Sequence, residues 1–160
     1  MTLKSTHLDE QGRARMVDVS AKAETLREAT ALAVVKASAE TLRAVEQGSV
    51  KKGDVLAVAQ VAGIQAAKRT PELIPMCHPL PISSASIAFE TDADTGRIEI
   101  RATVKAEAKT GVEMEAMTAA SIAALTVYDM CKSLQRDIEV ERVVLLSKKG
   151  GKSGEYRREK

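Results

Sequence analysis

Apolar and polar positions change period several times along the chain, and each change marks an element. Residues 1–19 are polar with little periodicity and are expected to wrap the surface. The stretch 24–37 is rich in alanine and leucine, which favours helix, yet Leu26, Ala29, Leu32 and Val35 do not settle its period. Ser38-Ala39-Glu40-Thr41 reads as a helix N-cap and Gly48 as a C′ stop, which predicts a short helix over 39–47. A second helix starts at Gly53-Asp54, with Asp54 as N-cap, and runs through Val58, Val61, Ala62 and Ala66 to Thr70. Pro71 ends it, because the residue before a proline avoids the α region. Pro75, Pro79 and Pro81 make 75–81 a stiff loop. Residues 82–90 and 97–107 alternate around a turn at 91–96, and Ile87, Phe89, Ile98, Ile100, Ala102 and Val104 fit a hairpin. Gly111 precedes the strongest helical pattern, 113–134, which is apolar almost all round and so belongs in a core or between subunits. A last strand over 138–147 leads to Gly150-Gly151 and a polar tail.

With 24–37 as a strand, the order is β-α-α-β-β-α-β. That predicts an α+β, ferredoxin-like fold, with helices packed on one face of an antiparallel sheet. No internal repeat or long linker interrupts the 160 residues, so they read as a single domain, 1–160, with flexible ends at 1–16 and 150–160. Composition adds one anomaly. Apolar residues make up 44% of the chain but aromatics only 2%: Phe89, Tyr128 and Tyr156. Alanine takes up the difference, with 25 residues. A core of alanine, valine and leucine buries little area per residue. Either the elements approach very closely, or a partner subunit finishes the core. The net charge of +2 is too small to argue for nucleic acid, although 148–160 holds six basic residues against two acidic ones. No apolar run nears the roughly 18 residues of a membrane span. No secretory leader is visible, and Cys77 and Cys131 have no C-x-x-C spacing. A cytoplasmic protein with reduced thiols and no membrane partner is expected.

Five segments carry candidate chemistry. Lys51-Lys52-Gly53-Asp54 places two lysines before a helix N-terminus, where phosphate is favoured. A lysine crowded by cations also loses its proton more easily, as a catalytic base must, and the plain alternative is a solvated loop. Pro75-Met76-Cys77-His78-Pro79 holds Cys and His in a proline-braced frame. A closed zinc site needs about four ligands, and only His7 and Cys131 remain, neither at motif spacing, so no metal is expected. A thiol nucleophile is possible there, as is a merely buried cysteine. Lys109-Thr110-Gly111-Val112-Glu113-Met114-Glu115 sets two acids around a methionine at a helix entrance. They either complement the helix dipole or grip the adjacent N–H donors of a base such as guanine. Asp129 and Lys132, at i and i+3, share a helix face as an ion pair or an acid–base couple. Glu115 and Asp129 lie about four turns apart, so one helix face could carry both. Lys148-Lys149-Gly150-Gly151-Lys152-Ser153-Gly154 resembles the end of a P-loop, but the first glycine would fall at Leu146 and no helix can follow. It is a basic tail, or a flexible segment that closes on a polyphosphate.

Together these segments are more specific than any one of them. Met16 to Ser20, Lys52 to Val55, Ala62 to Thr70, Ile74 to Leu80, Thr110 to Ala116, Tyr128 to Lys132 and Gly150 to Gly154 occur in order. In this the chain resembles the molybdenum cofactor biosynthesis protein C family, the cyclic pyranopterin monophosphate synthases. The resemblance spans Val17 to Gly154 without a departure at a motif position. It implies a ferredoxin-like subunit in a homohexamer, a trimer of dimers, with active sites between subunits. It implies 3′,8-cyclo-7,8-dihydro-GTP as substrate, cyclic pyranopterin monophosphate and pyrophosphate as products, and no cofactor, because the radical step precedes it. Carried over residue by residue, it makes Asp129 the principal catalytic residue, with Lys52 and Lys132 as acid–base partners. Met76, Cys77, His78, Met114, Glu115 and Glu113 would form the substrate pocket. Lys22, Arg27 and Lys148 would be phosphate ligands, and Lys152 part of a mobile lid. Two other readings of the fold are a nucleotide-binding regulatory module without turnover and an RNA-binding module. The second needs exposed aromatics on central strands, and Phe89 alone is a poor platform.

Overall fold

The computed structural model describes residues 7–159. Residues 1–6 and 160, part of the two expected flexible ends, lie outside the described residues. The chain runs β1 (Thr25–Lys36), α1 (Ala39–Glu46), α2 (Val55–Lys68), α3 (Thr70–Leu73), β2 (Ile82–Asp92), β3 (Arg97–Ala108), α4 (Glu113–Cys131), β4 (Glu139–Lys149) and β5 (Tyr156–Arg157). The strands form one sheet in the order β2-β3-β1-β4-β5. All pairings are antiparallel. The first four strands have the split βαβ order expected of a ferredoxin-like fold.

Central strand β1 explains its own ambiguous period. Ala29, Ala31, Ala33 and Val35 are buried, and so are Leu32 and Val34 on the other face. Helices cover the first face, and side chains of neighbouring strands shield Leu32 and Val34 on the second. A central strand buried in this way reads as a continuous apolar run rather than an alternation. Strand β3 alternates cleanly, with Ile98, Ile100, Ala102, Val104, Ala106 and Ala108 buried. The open face of the sheet carries ion pairs instead. Lys105 and Lys149 both reach Glu28, at 2.9 and 3.0 Å. The cross-strand pair Arg97–Glu141 is bidentate at 2.8 and 3.1 Å.

The helix starts follow the sequence. The Ser38 hydroxyl accepts from Thr41 N at 3.2 Å, and the Asp54 carboxylate accepts from Ala57 N at 3.0 Å. Pro71 does more than stop α2. The helix ends at Lys68, and Pro71 then sits in the first turn of short α3. Helix α4 closes at Cys131, three residues before the expected end at 134. Beyond β4 the chain turns back, and Tyr156–Arg157 pair with Lys148 and Ser147. The sequence pattern had suggested only a polar tail here.

Alanine-rich faces pack the helices closely. Helix α4 buries Ala116, Ala119, Ala120, Ala123 and Ala124 against the sheet and α2. At the crossing, a Cβ on Gly63 of α2 would lie 3.1 Å from the Ala119 carbonyl and 3.1 Å from Ile87 Cδ1. Close approach therefore accounts for much of the aromatic-poor core within one subunit. It does not account for Val58, Val61 and Leu125, which are 43%, 58% and 54% exposed on α2 and α4. No helix among the described residues is long and apolar enough to cross a membrane.

Gly63→Val tests the close crossing. Overpacking should cost about 1–3 kcal/mol, although valine has the higher helix propensity. The check is a lowered denaturant midpoint at fixed protein concentration. An unchanged midpoint would show that the crossing has slack.

Candidate active site

Two charged regions lie at opposite ends of α4. At the C-terminal end, Lys132 Nζ donates to Asp129 Oδ1 at 2.6 Å. Lys52, from the loop between α1 and α2, donates to Asp129 Oδ2 at 2.9 Å and to the Asp129 carbonyl at 2.7 Å. The hydrogen bond from Lys132, then that from Lys52, holds the Asp129 carboxyl at about 2. The carboxylate in turn pushes the Lys132 ammonium up. At neutral pH the trio is one anion between two cations. Lys52 is thus held by oxygens of Asp129, not by the crowding of cations that its neighbour Lys51 suggested. All three side chains are open to solvent, so the trio does little for stability and is free to meet a ligand.

At the N-terminal end of α4, a cavity of about 390 Å³ is lined by Met76, Cys77, His78, Glu113, Met114, Glu115 and Lys22, among others. The proline-braced loop and the helix entrance thus meet as one wall, which no single motif indicated. Glu115 is 3% exposed. Burial, and then the charge of Glu113, raises its carboxyl above the ordinary glutamate value. Burial and Glu115 likewise raise the Cys77 thiol, which argues against a thiolate nucleophile. His78 Nε2 lies 2.7 Å from the Val17 carbonyl. A carbonyl only accepts, so Nε2 carries the proton, and Nδ1 is the acceptor of the neutral ring. No side chain caps α4, whose N-cap residue is Val112, and Glu113 accepts from Lys148 Nζ at 2.7 Å. Both acids lie in the first turn of the helix, where its dipole favours them.

A second cleft, about 840 Å³, adjoins the first and shares Lys22, Thr110, Gly111 and Glu113 with it. Its other charged walls are Arg27, Lys109, Lys148 and Lys152. Five cations against one carboxylate make an electrostatic trap for a polyanion. The motif 109–115 contains Lys109 without a chemical role of its own. Its place at the end of β3, where the strand feeds α4, was the available signal. His7, considered only as a metal ligand, lines the first cavity with Val17 and Val19. The structure joins Lys22, Arg27 and Lys148 to the carboxylate end. It does not join that end to the Asp129 trio within one chain. Glu115 is buried and Asp129 exposed, about 21 Å apart at 1.5 Å per residue. The unbroken helix does set both acids on one side, about 40° apart around its axis, but at opposite ends of it.

The fold and these groups define an α+β protein equipped to hold a polyanionic small molecule and to move protons. The model of the MoaC family matches residues 16–151. The chain is 57% identical over 154 residues to the cyclic pyranopterin monophosphate synthase of Thermoanaerobacter pseudethanolicus, covering 96% of this chain and 98% of that one. It is 61% identical over 153 residues to the protein of the same name from Geotalea uraniireducens, covering 96% of each. It is 58% identical over 157 residues to that from Desulfitobacterium hafniense, covering 98% of this chain and 96% of that one. The chain belongs to the MoaC family.

A buried carboxyl with a raised pKa gains its proton earlier in the folded state, so it erodes stability as pH rises past the unfolded value of 4.5. Glu115→Gln removes that penalty. It should raise the melting temperature at pH 7–8, and the gain should vanish below the unfolded value. Equal melting temperatures at neutral pH would contradict the raised carboxyl.

Proposed function

We propose that the protein is a lyase, a cyclic pyranopterin monophosphate synthase. It converts 3′,8-cyclo-7,8-dihydro-GTP into cyclic pyranopterin monophosphate and pyrophosphate, an early step of molybdenum cofactor biosynthesis. The observation that carries this reading is the pair of joined cavities, carboxylates and imidazole at one end and cations at the other. A guanine-derived base has adjacent N–H donors that suit Glu113 and Glu115, with Met76 and Met114 against its faces. His78 lines the same cavity, its ring fixed by the Val17 carbonyl. Lys22, Lys148 and the other cations of the wider cleft neutralise the triphosphate.

The reaction opens the five-membered ring of the purine, rebuilds it as a pterin and closes a cyclic phosphate. Its atoms balance without electron transfer, so it calls for positioned acids, bases and cations. Cations lower the barrier to pyrophosphate departure by stabilising the charge that develops on the leaving oxygen. Asp129, Lys52 and Lys132 supply the proton transfers. With Asp129 ionised and both lysines charged at rest, the lysines are the first donors. Asp129 becomes a base only after substrate draws a lysine away.

The split between the ends of α4 supports a site completed by a second copy of the chain. Glu115 and Asp129 lie equally far from Ile122. Antiparallel pairing of two α4 helices across a two-fold axis near Ile122 brings the Glu115 end of one subunit to the Asp129 end of the other. The exposed Leu125, Val58 and Val61 supply apolar surface for such a contact. The assembly proposed is a homohexamer, a trimer of dimers, working in the cytoplasm without nucleic acid or membrane.

The test supplies the cyclo-dihydro-GTP and follows pyrophosphate together with the fluorescent oxidised pterin. Wild type should release both. Asp129→Asn, Lys52→Ala and Lys132→Ala should keep the fold and lose about 10²-fold or more in rate, the usual worth of an acid–base group. Near-normal rates in these variants would remove their catalytic roles. Binding without pyrophosphate release by wild type would favour the regulatory nucleotide-binding module instead.

A further inference from the structure

Resemblance makes Arg27 a phosphate ligand, but its hydrogen bonds point elsewhere. Nε donates to the Ala108 carbonyl at 3.2 Å, Nη1 to the Gly150 carbonyl at 3.2 Å and Nη2 to the Lys109 carbonyl at 3.3 Å. The three carbonyls belong to the end of β3, the segment entering α4 and the start of the β4–β5 loop. A guanidinium has five N–H donors in a fixed fork, and here three are held by main chain, two by the consecutive carbonyls of Ala108 and Lys109 and one by Gly150 of the β4–β5 loop. The glycines of the loop match this arrangement. Gly150 and Gly151 have φ of +105° and +75°, where other residues are strained. A Cβ on Gly150 would collide with the Leu26 carbonyl, and one on Gly151 with the Arg27 guanidinium. The loop lies against β1 because nothing but hydrogen projects from it there.

We propose that Arg27 is a positioning residue that clamps the β4–β5 loop in place as a wall of the cationic cleft. Lys148 and Lys152 stand on either side of the clamped glycines and line the same cleft as Lys22 and Lys109. On this reading the lysines are the main contacts of the polyanion, and Arg27 acts chiefly through the loop it holds, although Lys109 also donates to the Ser20 carbonyl at 3.1 Å. Lys148 is shared, because its ammonium already holds Glu113. The clamp deepens the reading of this cleft as the polyphosphate end of the site and rests on it only for its functional consequence.

The clamp is tested first without any ligand, by amide hydrogen exchange of the whole protein. The reporter is the Gly154 amide, which donates to the Gly151 carbonyl at 3.2 Å, with the β5 amides beside it. Arg27→Ala, Arg27→Lys and Gly151→Ala should each speed exchange there by about tenfold or more. A lysine cannot hold three carbonyls, so it should not rescue. Gly151→Ala added to Arg27→Ala should loosen the loop further by less than Gly151→Ala does alone, since the collision with Arg27 is gone and only the strain of the positive φ remains. Lys109→Ala should leave exchange in the loop unchanged. If Arg27→Ala and Arg27→Lys leave ligand-free exchange unchanged, the clamp is wrong and Arg27 is a phosphate ligand. Inhibition by pyrophosphate is the second readout. Arg27→Ala, Arg27→Lys and Lys109→Ala should all weaken it, with KM rising more than kcat falls. Full rescue of inhibition by Arg27→Lys would also overturn the clamp. Failure of pyrophosphate to inhibit wild type would overturn the polyphosphate reading of the cleft, while hydrogen exchange would still decide the clamp.

Discussion

The rigidity of α4 is the constraint on which the functional account depends. A helix of 19 residues has no freedom to bring its ends together. It carries Glu113 and Glu115 in its first turn, on the joined cavities, and Asp129 in its last turn, between two lysines. Its middle is alanine, which lets it lie close to β1, β3 and α2. The same backbone therefore builds the core and holds the carboxylate cavity and the Asp129 trio apart. Nothing within one subunit can shorten that distance without unfolding the core.

This constraint also recasts the shortage of aromatic residues. A small-residue core reads at first as underfilled. The Gly63–Ala119 crossing shows instead that backbones approach until small side chains fill the space. Dispersion then comes from many short contacts rather than a few large rings. The exposed Val58, Val61 and Leu125 are the part of the apolar inventory that this packing does not use. They lie on the two helices that a symmetric partner must approach if the halves of the site are to meet.

Much of the fold was legible because local chemistry and global fold agree. Ser38 and Asp54 are where the caps should be, the hairpin alternates, and glycine and proline mark the boundaries. The difficult places have physical causes. Strand β1 is buried on both faces, which erases the period that identifies a strand. Strand β5 is two residues long and held by pairing with β4, which no local pattern encodes. In the candidate site, the motifs named residues that the fold gathers into two groups, but not their neighbours. Lys51 beside Lys52 suggested cationic crowding, whereas tertiary structure puts two Asp129 oxygens against the Lys52 ammonium. Arg27 had the charge of a phosphate ligand, and only the fold shows its guanidinium among carbonyls. The distance between Glu115 and Asp129 was countable in the sequence, but its meaning required the burial of one and the exposure of the other.

The central claim is that an active site takes its carboxylate end from one subunit and its Asp129 end from another. Subunit mixing tests it most directly. Glu115→Gln and Asp129→Asn proteins, each expected to lose most of its activity alone, are dissociated, mixed in equal amounts and reassembled. In a statistical mixture, about a quarter of all sites regain both native halves. Activity on the cyclo-dihydro-GTP should recover to about that fraction of wild type. A mixture that reassembles fully and remains as inactive as its parents would show that each site lies within a single chain.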